Sequence, residues 1–273
     1  MKRGVLYGLV MLAVFAAATS TVYAQAQGDF SRTLNISGTP DVEVVTGSGS
    51  ITIRNGSGNR VEVRGRVRAG TSWWFWGPRV PEDAVRRIES NPPIEQSGQS
   101  IRIGRVNDRD LQNVSISYEV ILPAQSNVRS NSGSGSLTIE GINGSVNART
   151  GSGSITLRDI RGDLYANTGS GSIRASRISG ALRMQTGSGG ISVEGEQTAR
   201  WELQTGSGGI TIDLPASAGF DLNARSGSGG IDVDFPMTVQ GSIRRDRHNV
   251  TGKVGNGRYP LEARAGSGSI RIQ

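Results

Sequence analysis

The chain contains no cysteine and a single histidine, His248. The first absence excludes a disulfide framework, thiol catalysis and a lipid anchor attached through cysteine. The second excludes a metal site built from several imidazoles. Lysine is almost missing too: Lys2 and Lys253 are the only two, so the positive charge is carried by arginine. Aromatic residues make up 5% of the chain. After residue 24 no apolar run is long enough to cross a bilayer as a helix. No cofactor is expected.

What is present begins with a secretory signal over residues 1–24. Lys2 and Arg3 form its charged start, residues 5–18 its apolar run, and Val22-Tyr23-Ala24 a small-residue cleavage site. Loss of that segment removes two positive charges and no acid, lowering the formal net charge from +7 to +5. An exported basic protein is expected in the periplasm, at the cell surface or in the medium. There it meets an anionic glycan, lipid headgroups or an envelope protein rather than nucleic acid.

The dominant signal is a repeat. Gly-Ser-Gly starts at Gly133, Gly151, Gly169 and Gly187, a fixed period of 18 residues; later spacings are 19, 21 and 39. A period of this length marks a stacked architecture. Apolar residues stand five and three places before the first glycine (Leu164 and Ala166, Leu182 and Met184, Trp201 and Leu203). Others stand four and six places after it (Leu137 and Ile139, Ile155 and Leu157, Ile191 and Val193). Each pair alternates with polar residues, giving two short strands per repeat. A further isoleucine follows nine places on (Ile142, Ile160, Ile178), with Gly144, Gly162 and Gly180 two places beyond.

Two connections fit: an antiparallel meander with Gly-Ser hairpins, or a β-solenoid that bends at each glycine and stacks like on like. The solenoid encloses all five apolar positions and is preferred. Thr46, Ser132, Thr150, Thr168, Thr186, Thr205 and Ser226, just before the turns, are expected on the outside as a ladder. The expected fold is therefore all-β, a right-handed β-solenoid of about 18-residue two-strand rungs. Residues 25–40 are expected to be a flexible start, 41–127 an N-terminal capping part, and 128–273 the repeat with an insertion at 235–260. Within the cap, residues 81–90 read as one short helix, with Pro81 early and Val85 and Ile88 on one face.

Tyr118-Glu119-Val120-Ile121-Leu122-Pro123, then Val128-Arg129-Ser130-Asn131-Ser132-Gly133-Ser134-Gly135, then the repeats closing on Ile270-Arg271-Ile272, resemble the bacterial putative-adhesin family with DUF4097-type β-strand repeats. The resemblance covers most of residues 41–273. It implies a right-handed β-helix or toastrack-like stack, exported or facing the envelope, without established catalysis. The Trp73-Trp74-Phe75-Trp76 run departs from that pattern.

Catalytic signals are weak. A Ser-His-Asp triad would need His248, which sits in a charged stretch with no nucleophile-elbow motif. Gly-Ser-Gly-Ser is followed by neither lysine nor a helix, so turn geometry explains it better than a phosphate cradle. β-Helices also host polysaccharide lyases and hydrolases, so a glycan-active enzyme is the alternative class. A third class, a Thr-array surface binder, is interrupted by Arg174, Asp232 and Arg271. Two binding candidates remain. Trp73, Trp74, Phe75 and Trp76 suit an exposed contact with glycan or lipid. Asp213 and Asp234 share an offset with Glu194, with Asp232 nearby, so stacked carboxylates there would favour a bound cation.

Overall fold

The computed structural model describes residues 27–69, 82–105, 114–238 and 248–273. Within them the chain forms twenty-three strands and one helix. The leading part supplies β1 (Gln27–Asn35), β2 (Asp41–Thr46), β3 (Ile51–Gly56), β4 (Arg60–Ala69), α1 (Glu82–Ser90), β5 (Ile94–Ser97), β6 (Ser100–Ile103) and β7 (Val114–Pro123). The regular part runs through β8 (Asn127–Ser132), β9 (Leu137–Asn143), β10 (Val146–Thr150), β11 (Ile155–Arg161), β12 (Leu164–Thr168), β13 (Ile173–Ser179), β14 (Leu182–Thr186), β15 (Ile191–Glu196), β16 (Trp201–Thr205) and β17 (Ile210–Asp213). The closing part adds β18 (Phe220–Ser226), β19 (Ile231–Val233), β20 (Met237–Thr238), β21 (Asn249–Val254), β22 (Tyr259–Ala265) and β23 (Ile270–Ile272).

Each Gly-Ser-Gly joins two strands that belong to different sheets. The first strand of each rung lies in a front sheet and the second in a back sheet. Pairing from rung to rung is parallel and in register: Val146, Leu164, Leu182 and Trp201 stack in front. Ile155, Ile173, Ile191 and Ile210 stack behind. All eight side chains are buried, as are Ile142, Ile160 and Ile178. The arrangement is a β-solenoid-like stack, because only parallel stacking keeps the 18-residue period in register while enclosing apolar side chains from both sheets. The antiparallel meander is excluded.

One row lies opposite to expectation. Thr150, Thr168, Thr186 and Thr205 are buried, not outward. They share the parity of the apolar positions before the turn, so the strand carries them into the core. Thr168 Oγ1 donates to Gly153 O of the preceding rung (2.8 Å), and Gly171 N donates to Thr168 Oγ1 (3.2 Å). The same pair of bonds recurs at Thr150 and Thr186. A buried hydroxyl is tolerated when its bonds are met. The glycines follow from the same closeness: a Cβ on Gly171 would lie 2.0 Å from Gly153 O, so backbone stacks on backbone at every turn.

The ends are not in chain order. In front, β2 lies between β6 and β8, and behind, β3 lies between β7 and β9. At the other end β22 lies between β16 and β18, and β23 between β17 and β19. Both sequence-terminal rungs are thus tucked inside. Residues 27–35, expected to be flexible, are the long strand β1, antiparallel to β4. Phe30 lies beside Gly65, which lies beside Tyr118. The Phe30 ring fills the space a Cβ on Gly65 would need and meets Tyr118 edge-on at 6.2 Å. The expected helix is α1, which buries Ala84, Val85 and Ile88 and packs on β1 and β4. Part of the expected insertion forms β21, antiparallel to β18.

Candidate binding groove

Trp73, Trp74, Phe75 and Trp76 lie outside the described residues. The carboxylates expected to stack are not brought together. Glu194 and Asp213 are in register on β15 and β17, but β23 occupies the next place. There Gln273 N donates to Ile212 O, and Leu214 N to Gln273 O. Asp234 lies one strand further out, its N bonded to Ile272 O. The Asp232 carboxylate meets Arg271 at 3.6 Å. Among the described residues no group of three potential ligands is assembled. His248 Nδ1 donates to Gly229 O at 3.0 Å, which ties the ring to a turn.

A large hollow lies on the outer face of the front sheet. It has a volume of about 720 Å³ and crosses β6, β2, β8, β10, β12, β14 and β16. Its floor is the row four places before each first glycine, continued on β6 by Arg102 in register with Glu43. Arg102, Glu43, Arg129, Asn147, Tyr165, Arg183 and Glu202 stand side by side in it, one per strand. At roughly 4.8 Å per strand the row is about 29 Å long. Its wall includes Asp41, Asn127, Ser145, Asp163 and Arg200, the residues that lead into these strands. The sequence held this row in plain sight at a constant offset. It carries no periodic signal, because its residue types differ from copy to copy.

Charge along the row is of both signs. Glu43 takes Arg105 at 2.9 Å and Arg102 at 3.9 Å, and Glu202 faces Arg183 at 3.8 Å. Asn127 Nδ2 donates to Asp41 Oδ1, and Asn127 Oδ1 accepts from Ser145 N and Oγ. Arg200 pairs outward with Glu262. In the middle the pairing stops: Arg129 has no ion-pair partner among the described residues. The half-buried Tyr165 ring holds the Arg149 guanidinium at 5.0 Å from its centre, a cation–π contact. Asn147 Oδ1 is buried without a partner.

The back sheet presents a different outer face. Glu140 bridges Arg54 (3.4 Å) and Arg158 (2.7 Å), so its charges are satisfied by each other. Asp159 and Arg177 both take positive φ (53° each), at the place that Gly141 holds in the rung before Asp159. They are joined by two bonds of 2.5 and 2.7 Å. Hydrogen bonding from Arg177 holds the Asp159 carboxyl below its ordinary range. Burial raises the Tyr118 hydroxyl above the usual tyrosine range.

The Toastrack DUF4097 family model matches residues 57–273. Solved structures similar to the chain include a putative cell adhesion protein from Clostridium sporogenes ATCC 15579. It is 15% identical, with 90% of this chain and 98% of that chain covered and a TM-score of 0.41. A putative adhesin from Bacteroides fragilis NCTC 9343 is 11% identical, with 90% and 97% covered and a TM-score of 0.42. One from Parabacteroides distasonis ATCC 8503 is 9% identical, with the same coverage and TM-score. No curated protein matches the chain.

Proposed function

The chain belongs to the Toastrack DUF4097 family, and on that footing we propose that it is an exported, non-catalytic scaffold that binds a partner in the cell envelope or at the surface. One observation carries the reading: a rigid stack displays a seven-strand groove whose acids Glu43 and Glu202 face arginines. Fixed ion pairs suit recognition. Proton transfer needs a group free to gain and lose its proton during the reaction. Export is supported by the signal-like residues 1–24, and no helix among the described residues is long and apolar enough to cross a membrane. Trp73, Trp74 and Trp76 offer a second contact through their run of aromatics beside Arg66, Arg68 and Arg79.

The test is to incubate the purified protein with neutral and acidic polysaccharides while following both binding and product release. Binding without new chain ends is expected. Product formation abolished by a single Asp or Arg substitution would establish the glycan-active enzyme instead. For the tryptophan run, fluorescence with anionic vesicles should respond less in a Trp73→Ala, Trp74→Ala, Trp76→Ala variant. An equal response would remove it as a contact.

A further inference from the structure

We infer that the front-sheet groove is a carbohydrate site and takes an extended, sparsely carboxylated glycan laid across the strands. The inference rests on the scaffold reading above and names the ligand for it. The groove lies on a sheet face, not an edge, so it offers a ligand no free backbone ladder of the kind that captures a peptide strand. The side chains of its floor are charged or polar apart from Tyr165, so it offers no continuous apolar strip of the kind an amphipathic helix needs. What it offers is a line of hydrogen-bonding side chains at a constant step of about 4.8 Å, comparable to the advance per sugar of an extended polysaccharide. Tyr165, half-buried and held against Arg149, gives the C–H face of a sugar ring an aromatic contact at the middle of that line.

The charge pattern narrows the class. Arg129 and Arg183 flank Asn147 and Tyr165 in register. They stand three strand steps apart, about 14 Å. Arg129 is free of ion pairs among the described residues. Arg183 has a long contact of 3.8 Å with Glu202 and donates to the neutral Gln185 amide oxygen from Nε (3.2 Å) and Nη2 (3.0 Å), with N–H donors left over. Each guanidinium is available to one carboxylate. Beyond them Glu43 and Glu202 put carboxylates into the row, with Arg105 and Arg183 already facing them. A polyanion charged at every unit, nucleic acid included, would meet these acids directly. A glycan whose carboxylates are separated by neutral sugars would not.

Titration calorimetry of the purified protein with gellan fragments, polygalacturonate fragments and dextran of matched length tests this. Gellan carries one uronate in four sugars, a spacing wider than the gap of about 14 Å between Arg129 and Arg183, so a carboxylate meets one arginine at a time. Polygalacturonate charges every unit, and dextran charges none. Gellan fragments should bind best. Tyr165→Ala should weaken them about tenfold, equivalent to about 1.4 kcal/mol. Arg129→Ala with Arg183→Ala should erase the preference for gellan over dextran. All three side chains point outward, and unchanged circular dichroism and melting would confirm the fold. Gellan binding that both folded variants retain would place the site elsewhere and overturn the assignment of the groove. Tighter binding of polygalacturonate would overturn the sparse charge. No binding to any of the three would overturn the carbohydrate class, while the scaffold reading would still be judged by the vesicle experiment. Cleavage that depends on Tyr165 would sink the scaffold reading and keep the site.

Discussion

The middle of the stack and its two ends use the same rung but differ in how rungs are ordered. From β8 to β17 each rung lies against the one preceding it in the chain. At either end the order is exchanged, so β2 and β3 at one end and β22 and β23 at the other are flanked on both sides. A rung therefore finds its neighbour by matching side chains in register, not by closeness along the chain. The exchange also decides what is left at the edges. A sequence-terminal rung on the outside would fray and expose unpaired backbone. Here three of the four outermost positions go to antiparallel strands, β1 and β5 at one end and β20 at the other, while the back sheet closes on the parallel strand β19.

The largest expected effects come from removing core volume, in the middle or at a tucked end. Ile173 and Ile270 are both fully buried, so Ile173→Ala and Ile270→Ala should each cost about 2–5 kcal/mol in urea unfolding. An Ile270→Ala cost far below that of Ile173→Ala would mean that the last rung is peripheral. Next comes the threonine ladder. Thr168→Val keeps shape but removes two hydrogen bonds, for an expected loss of about 1–3 kcal/mol. A neutral result would reduce the ladder to a packing role.

The smallest effect belongs to the outer face. Asp159 and Arg177 are both exposed, so water screens their pair and it should contribute little to stability. The Asp159 pKa is lowered on folding. That stabilisation is complete above the ordinary carboxylate pKa of about 3.9 and is lost as pH falls through the lower folded value. Melting of the protein and of Asp159→Asn should therefore differ slightly near neutral pH and converge in acid. A gap that widens in acid would contradict the direction of the shift.

The rung was legible in the sequence because its determinants are local: alternation on each side of the turn, a fixed return, glycine where backbones touch. The ladder was misjudged because threonine was read by polarity although its parity with Leu164 and Ala166 already put it inside. Strand β1 offered only Phe30 and Leu34 as apolar markers, and its partner β4 lies beyond two intervening strands. The tucked ends were out of reach, since nothing near Ile270 in the chain says that it stacks on Ile210 and not on Ile231 alone. The same step separates Asp213 from Asp234 and undoes the expected carboxylate stack. The positive φ at Asp159 and Arg177 was hidden too, because of these three rungs only the one with Gly141 has a glycine there.

The chain has no cysteine of its own, so a pair of introduced ones reports strand adjacency without interference. Thr211 is in register with Arg271, and Arg271 with Asp232. Thr211→Cys with Arg271→Cys sets two outward positions one strand step apart, within disulfide reach, whereas Thr211→Cys with Asp232→Cys sets them two steps apart, about 10 Å. Under mild oxidation, followed on non-reducing gels and by mass, the first pair should close and the second should stay reduced. Closure of the second pair and not the first would show rungs stacked in chain order and contradict the account.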